Sequence, residues 1–278
     1  MTLKNYYSML FLWYNLNMDK LERYYEKFNE ENRLKRKHGQ VEFFVTMEYI
    51  KKYLKKFDLH SIKIADIGAG TGAYSVELSK MGYDITAVEY VKKNLNILRS
   101  KQANIKTFLG DAKNLTMIND NTFDITLLLG PIYHAINLHD KIKILSEAKR
   151  ITKNNGVIFV AYYMNEYAVL LHGFRDNNIK QSIIEEKLDK NFKIMSKADD
   201  LYSFERLEDI NKYNKLLGFK RIKIFAPDGA SDYMRDILNK MDKETFELFK
   251  KYQLYISSKK ELLGASSHIV DVVKNVKI

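Results

Sequence analysis

The sequence predicts an α/β domain with a mostly parallel sheet and helices on both faces. Three observations predict it. Short apolar strands alternate with helical patterns from residue 61 to about residue 165. A glycine-rich turn, Gly68-Ala69-Gly70-Thr71-Gly72, follows the first strand. The chain before residue 61 has helical periodicity, and the period changes abruptly at Ile62.

Taken in order, residues 1–17 are aromatic and carry one charge. The uncharged run Asn5–Asn17 is too short and polar to span a bilayer, and no small-residue cleavage site follows it. Met18 directly precedes a charged helical pattern, so it is an alternative start. Leu21, Tyr24, Tyr25 and Phe28 recur at helical spacing, as do Phe43, Met47, Ile50, Leu54 and Phe57, with the break expected at Asn32–Gln40. Strands are expected at Ile62–Ile67, Ile85–Glu89, Ile105–Leu109, Phe123–Leu129 and Gly156–Ala161, with helices at Tyr74–Met81, Val91–Lys101 and Asp140–Ile151 between them. Beyond these, 166–200 and 231–256 read as helical insertions. Residues 206–217 form a helix ended by Gly218, and Phe219–Phe225 and Ser267–Val273 are strands. No Pro/Gly-rich linker interrupts the chain, which predicts one embellished domain at 61–278 preceded by a helical segment at 1–60.

Composition narrows the function. The 278 residues contain no Cys, which excludes cysteine nucleophiles, Cys-ligated metals and disulfide frameworks, and fits a cytoplasmic location. The +11 charge is spread as 12 basic to 8 acidic residues in 1–60, 12 to 9 in 61–150 and 22 to 18 in 151–278. A nucleic-acid surface gathers its cations, so this dispersal argues against one.

Gly68, Ala69, Gly70 and Gly72 lie at a strand-to-helix turn, where the backbone can approach a ligand closely and the helix N-terminus offers unpaired N–H groups. The glycines alone fit either a dinucleotide or another nucleoside cofactor. Three carboxylates choose. Asp66 precedes Gly68 by two residues inside an apolar strand, where it opposes a pyrophosphate but suits an ammonium. Glu89 ends the second strand 21 residues after Gly68, the position from which an acid holds ribose hydroxyls. Asp111, in Gly110-Asp111-Ala112, can accept from an adenine amino group. An acid at each of these points describes a cationic nucleoside without phosphates, and S-adenosylmethionine has that character.

These residues resemble the class I S-adenosylmethionine-dependent methyltransferases. Asp66–Gly72 is similar to their first motif, Glu89 to the acid ending their second strand, and Leu129-Gly130 to their fourth-strand motif. The resemblance implies a Rossmann-like sheet of seven strands, mostly parallel, with the last antiparallel. It implies cofactor contacts at Asp66, Gly68, Ala69, Gly70, Gly72, Glu89, Tyr90, Gly110, Asp111, Ala112, Leu129 and Gly130. A closer likeness is to a bacterial group of small methyltransferases marked by Gly-Pro-x-Tyr-His after strand four, by an Arg/His-rich segment ending in Gln-x-Glu-Phe and by a late Gly-Ala-Ser-x-His. Here these are Gly130–His134, Arg36–Phe43 and Gly264–His268.

Methyl transfer needs alignment and a dry site, and a base only where the acceptor must lose a proton. His134 can serve as that base and Tyr133 can shape the pocket; alternatively, His134 binds a carbonyl or opens the next helix. The 1–60 helices are expected to cover the cofactor as a lid. Tyr25 and Arg33 are expected to contact the cofactor, with His38 and Glu42 as further candidates, and His268 is a candidate for the acceptor side. No metal ligands are expected. The implied reaction is methylation of an O or N atom of a small molecule by a monomer or homodimer, with no membrane partner. The alternatives are an RNA or protein acceptor, or a protein that binds cofactor without turnover.

Overall fold

A computed structural model describes residues 19–57 and 61–277 of the chain; Met18 and the aromatic run before it lie outside the described residues. Two amino-terminal helices come first, α1 (Lys20–Lys27) and α2 (Lys37–Leu54), joined through a 3-10 turn at Glu30–Lys35. Asp19 caps α1 by accepting the Glu22 N–H, and Asn29 caps the 3-10 turn through the Asn32 N–H. The break therefore falls at 28–36, earlier than expected, and His38, Gly39 and Gln40 lie in the first turns of α2.

The sheet contains β1 (Lys63–Ile67), β2 (Asp84–Glu89), β3 (Ile105–Leu109), β4 (Phe123–Leu128), β5 (Thr152–Tyr163), β6 (Lys220–Phe225) and β7 (His268–Lys274). Their order is β3-β2-β1-β4-β5-β7-β6, with β7 antiparallel to both its neighbours and the rest parallel. Between them run α3 (Ala73–Lys80), α4 (Lys92–Ser100), α5 (Pro131–His134), α6 (Leu138–Ile151) and α9 (Leu207–Leu217). This is the seven-stranded, mostly parallel, Rossmann-like sheet expected.

Side chains on β5 alternate between two cores, as the pleat requires. Ile158, Val160 and Tyr162 pack on one face with Ile144 and Leu145 of α6 and Ile210 of α9. Val157, Phe159 and Ala161 pack on the other with Leu78 of α3 and with Val41, Val45 and Ile50 of α2. The amphipathic face of α2 is thus part of the sheet's own core. β5 is longer than expected because Asn154-Asn155-Gly156 stays within the strand as an irregularity, with Asn155 at φ +64°, rather than forming a separate turn before it.

The carboxyl-terminal half departs further from the sequence reading. In place of one helical insertion at 166–200, helical turns occupy Asn165–Ala168 (α7), Val169–Arg175 and Ile179–Ile184 (α8), and 185–203 is largely irregular. The 231–256 insertion is two helices, α10 (Arg235–Lys240) and α11 (Lys243–Ile256), because Asp242 caps a new helix through the Thr245 N–H. Gly218 ends α9 at φ +66°, the left-handed conformation that glycine adopts at least cost.

Because Ile50 is fully buried where α2 meets the sheet, Ile50→Ala is expected to lower unfolding free energy by about 2–5 kcal/mol through the cavity it leaves. Urea denaturation checks this, and a loss below about 1 kcal/mol would mean that α2 contributes little to the core.

Candidate active site

The carboxyl ends of β1, β2, β3 and β4 open onto one cavity of about 900 Å³, the side of an open α/β sheet where ligands bind. The glycine loop forms its floor. Gly68, Gly70 and Gly72 all have positive φ, at +73°, +58° and +83°, and a Cβ on Gly68 would lie 2.5 Å from the Pro131 ring. Ala69 completes the loop, whose shape is fixed from below. Glu89 Oε2 accepts the Gly70 N–H at 2.8 Å, and Oε1 accepts the Val91 N–H at 2.8 Å. Asp66 lies beneath the loop, its Oδ2 accepting from Ser75 Oγ at 2.5 Å.

Both acids are buried, and burial is the dominant influence on their protonation. It pushes Asp66 up to about 6 against the Ser75 hydrogen bonds, and Glu89 up to about 7 against the loop N–H groups. Asp111 sits at the rim, half-exposed, its Oδ1 accepting the Lys113 N–H at 2.8 Å. Gly110 and Ala112 flank it along the wall, and Leu129 and Gly130 close the end of β4. Tyr90 lines the edge and donates its hydroxyl hydrogen bond to Asp19.

The amino-terminal segment covers this floor. Tyr25 and Arg33 border the cavity, and the sequence reading missed Glu30, which stands over Gly70. Its signal was the three-residue spacing to Arg33, which reads equally well as a solvated helix pair. Arg33 Nε binds Glu30 Oε1 at 2.9 Å and its Nη1 binds Glu42 Oε2 at 2.7 Å. Ammonium groups from α4 and its C-cap residue hold the segment down. Lys93 Nζ donates to the Tyr25 and Glu26 carbonyls at 3.0 and 2.6 Å, and Lys101 Nζ reaches Glu31 at 2.6 Å and the Thr71 carbonyl at 2.7 Å.

His134 ends α5 on the cavity wall. Its Nδ1 lies 3.0 Å from the Leu201 carbonyl oxygen, which can only accept, so Nδ1 carries the proton. Nε2 then presents its lone pair to the Tyr25 hydroxyl, 3.2 Å away. Burial pushes this imidazole down to about 4, so it is neutral across the physiological range. Tyr133 donates to the Leu129 carbonyl at 3.2 Å and packs edge-on against His134. Tyr163 and Tyr202 complete an aromatic cluster around these two residues, which was not foreseen in the sequence.

His38, Glu42 and His268 do not line the cavity, and His268 is a correction to the expectation for the acceptor side. It opens β7 but is buried behind the wall, its ring 4.3 Å from that of Tyr163. Asp228 Oδ2 accepts both its backbone N–H and Nδ1, at 2.8 and 3.0 Å. His38 lies 4.0 Å from Asp232. Glu42, Asp228 and His268 bring donor atoms within 4.8 Å of one another, a spacing that could accommodate a cation. Here Glu42 is paired with Arg33, and Asp228 with His268.

Residues 65–160 match the methyltransferase domain. The chain is 30% identical over 165 residues to a ribosomal protein L11 methyltransferase from Dictyoglomus thermophilum, covering 55% of this chain and 48% of that one. It is 26% identical over 127 residues to a ubiquinone biosynthesis O-methyltransferase from Pelagibacter ubique, covering 42% and 52%. The matches thus span about half the length of these curated relatives. Among solved structures, a SAM-dependent methyltransferase from Thermotoga maritima superposes with a TM-score of 0.54 at 19% identity, covering 92% of this chain and 98% of that chain. Domain and fold support a class I methyltransferase and indicate S-adenosylmethionine as the cofactor. The residues present fit that cofactor: acids beneath and above a bare glycine loop suit a ligand bearing sulfonium and ammonium charges.

The protonation of these acids gives a sign to cofactor binding. A cationic ligand favours the ionised carboxylates, so it lowers the proton affinities that burial has raised in Asp66 and Glu89. Binding should therefore release protons, and affinity should rise with pH between about 5 and 7.5 and level off above it. Titration calorimetry at pH 6.5 in buffers of different ionisation enthalpy measures the released protons; proton uptake, or an affinity that falls with pH, would contradict this.

Proposed function

We propose that the chain transfers a methyl group from S-adenosylmethionine to an oxygen or nitrogen atom of a small molecule. The observation that carries this reading is the set of desolvated acids around the glycine loop. Asp66, Glu89 and Glu30 are all pushed up by burial, Glu30 despite its Arg33 partner. Such groups favour a ligand that brings positive charge. The lid-covered cavity, about 900 Å³ in volume, suits a nucleoside with a small acceptor better than a folded protein or an RNA. The relative named for ubiquinone biosynthesis agrees with this choice, and the one named for a ribosomal protein keeps the macromolecular acceptor as the alternative.

In this reading residues 1–60 form a lid over a catalytic domain of 61–278, and the chain belongs to the bacterial small-methyltransferase group that its Gly130–His134 segment resembles. The protein works in the cytoplasm, as a monomer or homodimer. Among the described residues, no helix is long and apolar enough to cross a membrane.

The cofactor, when bound, supplies a methyl group on a good neutral leaving group. The chain supplies alignment and exclusion of water. Glu89 fixes the loop that seats the nucleoside, and the Glu30–Lys35 turn closes over it. The Leu201 carbonyl fixes the His134 tautomer, leaving Nε2 to receive a proton from the acceptor as the new bond forms, once the acceptor replaces the Tyr25 hydroxyl there. Tyr133 and its aromatic neighbours hold that wall rigid.

His134→Ala is expected to leave S-adenosylmethionine affinity unchanged and to lower turnover about a hundredfold or more. Unchanged turnover would remove the base. The reading as a whole is tested by incubating a cell extract with the protein and methyl-labelled S-adenosylmethionine, then fractionating. Label in small molecules supports it; label confined to RNA or protein favours the alternative.

A further inference from the structure

Outside the cavity, Glu42, Asp228 and His268 meet from three distant stretches of chain: the second turn of α2, the turn after β6 and the first residue of β7. Donor atoms of all three lie within 4.8 Å of one another. Asp228 and His268 are buried, and the Glu42 side chain is 13% exposed. The hydrogen bonds present engage one oxygen of each carboxylate. Glu42 Oε2 accepts from Arg33 Nη1, and Asp228 Oδ2 accepts both the backbone N–H and Nδ1 of His268. Neighbouring Asp232 stands apart from this triad, because Arg235 and Tyr167 engage both its oxygens at 3.0 and 3.1 Å. Ser231, on the same turn as Asp228, is fully buried, and its Oγ has no hydrogen-bond partner among the described residues. Buried polar groups are ordinarily bonded, so an orphan on this turn points to a group that the protein atoms do not supply.

We propose that Glu42, Asp228 and His268 bind a divalent transition-metal ion, with zinc the best match. Two carboxylates and one imidazole suit zinc, whereas magnesium and calcium take oxygen ligands. Donors each about 2.1 Å from one ion lie about 3.0–3.4 Å from each other. His268 Nδ1 and Asp228 Oδ2 are already 3.0 Å apart. On binding, the Nδ1 proton leaves to solvent and its lone pair bonds the metal in its place. The His268 backbone N–H still holds Asp228 at 2.8 Å, and Arg33 still holds Glu42 at 2.7 Å. Both carboxylates thus keep the outer hydrogen bonds that orient metal ligands. The Tyr163 ring, centred 4.3 Å from the imidazole, restrains its plane. The ion ties α2 to the β6–β7 end of the sheet, a brace separate from the cofactor cavity and independent of the methyl-transfer reading.

Equilibrium dialysis of the tag-free full chain against zinc chloride tests this. The wild type is expected to hold one equivalent of zinc with a Kd below about 10 µM, undisturbed by magnesium at about 1 mM. Asp228→Asn and His268→Gln are each expected to weaken binding about 30-fold or more. His172→Ala, at the exposed His172–Asp176 pair, controls for surface binding and is expected to leave affinity within about twofold. Thermal melts establish that the variants fold. X-ray absorption of the zinc-loaded wild type reads the ligands without any variant: oxygen atoms and one imidazole at about 2.0–2.2 Å. Wild-type affinity weaker than about 10 µM overturns the proposal. So does zinc binding that survives in folded His268→Gln or is lost in His172→Ala, or a metal shell with no imidazole or more than one.

Discussion

The organisation of the site depends on one hydrogen bond, from the Gly70 N–H to the Glu89 carboxylate. It joins the end of β2 to the turn after β1, across two strands that pair in register from Lys63↔Asp84 to Ile67↔Val88. The loop's left-handed glycines leave its N–H groups without helical partners, and a side chain from the neighbouring strand supplies one acceptor. The cost is a carboxylate held in a low-dielectric pocket, where burial raises its proton affinity against the loop N–H groups it accepts from. Loop geometry and the protonation of the site are therefore consequences of the same contact. Asp66, clamped by Ser75 from α3, repeats that arrangement one strand away.

Much of this was legible in the sequence. The strand at Ile62–Ile67, the glycines after it and the acids at Glu89 and Asp111 are separated by distances that a βαβ unit dictates, so their placement around one cavity follows from topology alone. Gly218 as a helix stop was readable because left-handed φ has few other solutions. Position, however, was more legible than partnership. Glu89 was expected to hold ribose hydroxyls; what the structure shows is a clamp on its own loop, a role with no local pattern to announce it.

The rest depended on tertiary contacts that periodicity does not encode. Residues 185–200 belong to the polar stretch expected to be helical, yet 185–203 runs as a largely irregular segment whose Leu201 carbonyl fixes the His134 tautomer. His268 seemed a natural wall residue from its place at the start of a strand. The pleat and the neighbouring Tyr163 ring instead put it behind the wall, where Asp228 satisfies it. The aromatic cluster around His134 draws on Tyr133, Tyr163 and Tyr202, three residues from distant parts of the chain. Only the assembled sheet and the returning segment bring them together.

The ammonium contacts of Lys93 and Lys101 also set how firmly the covering segment is held. Both grip carbonyl oxygens, and Lys101 adds a carboxylate, at separations of 2.6–3.0 Å. Dissolved salts screen charges over about 10 Å at 0.1 M and act much less on partly buried pairs, so contacts this short keep the segment fastened as salinity changes.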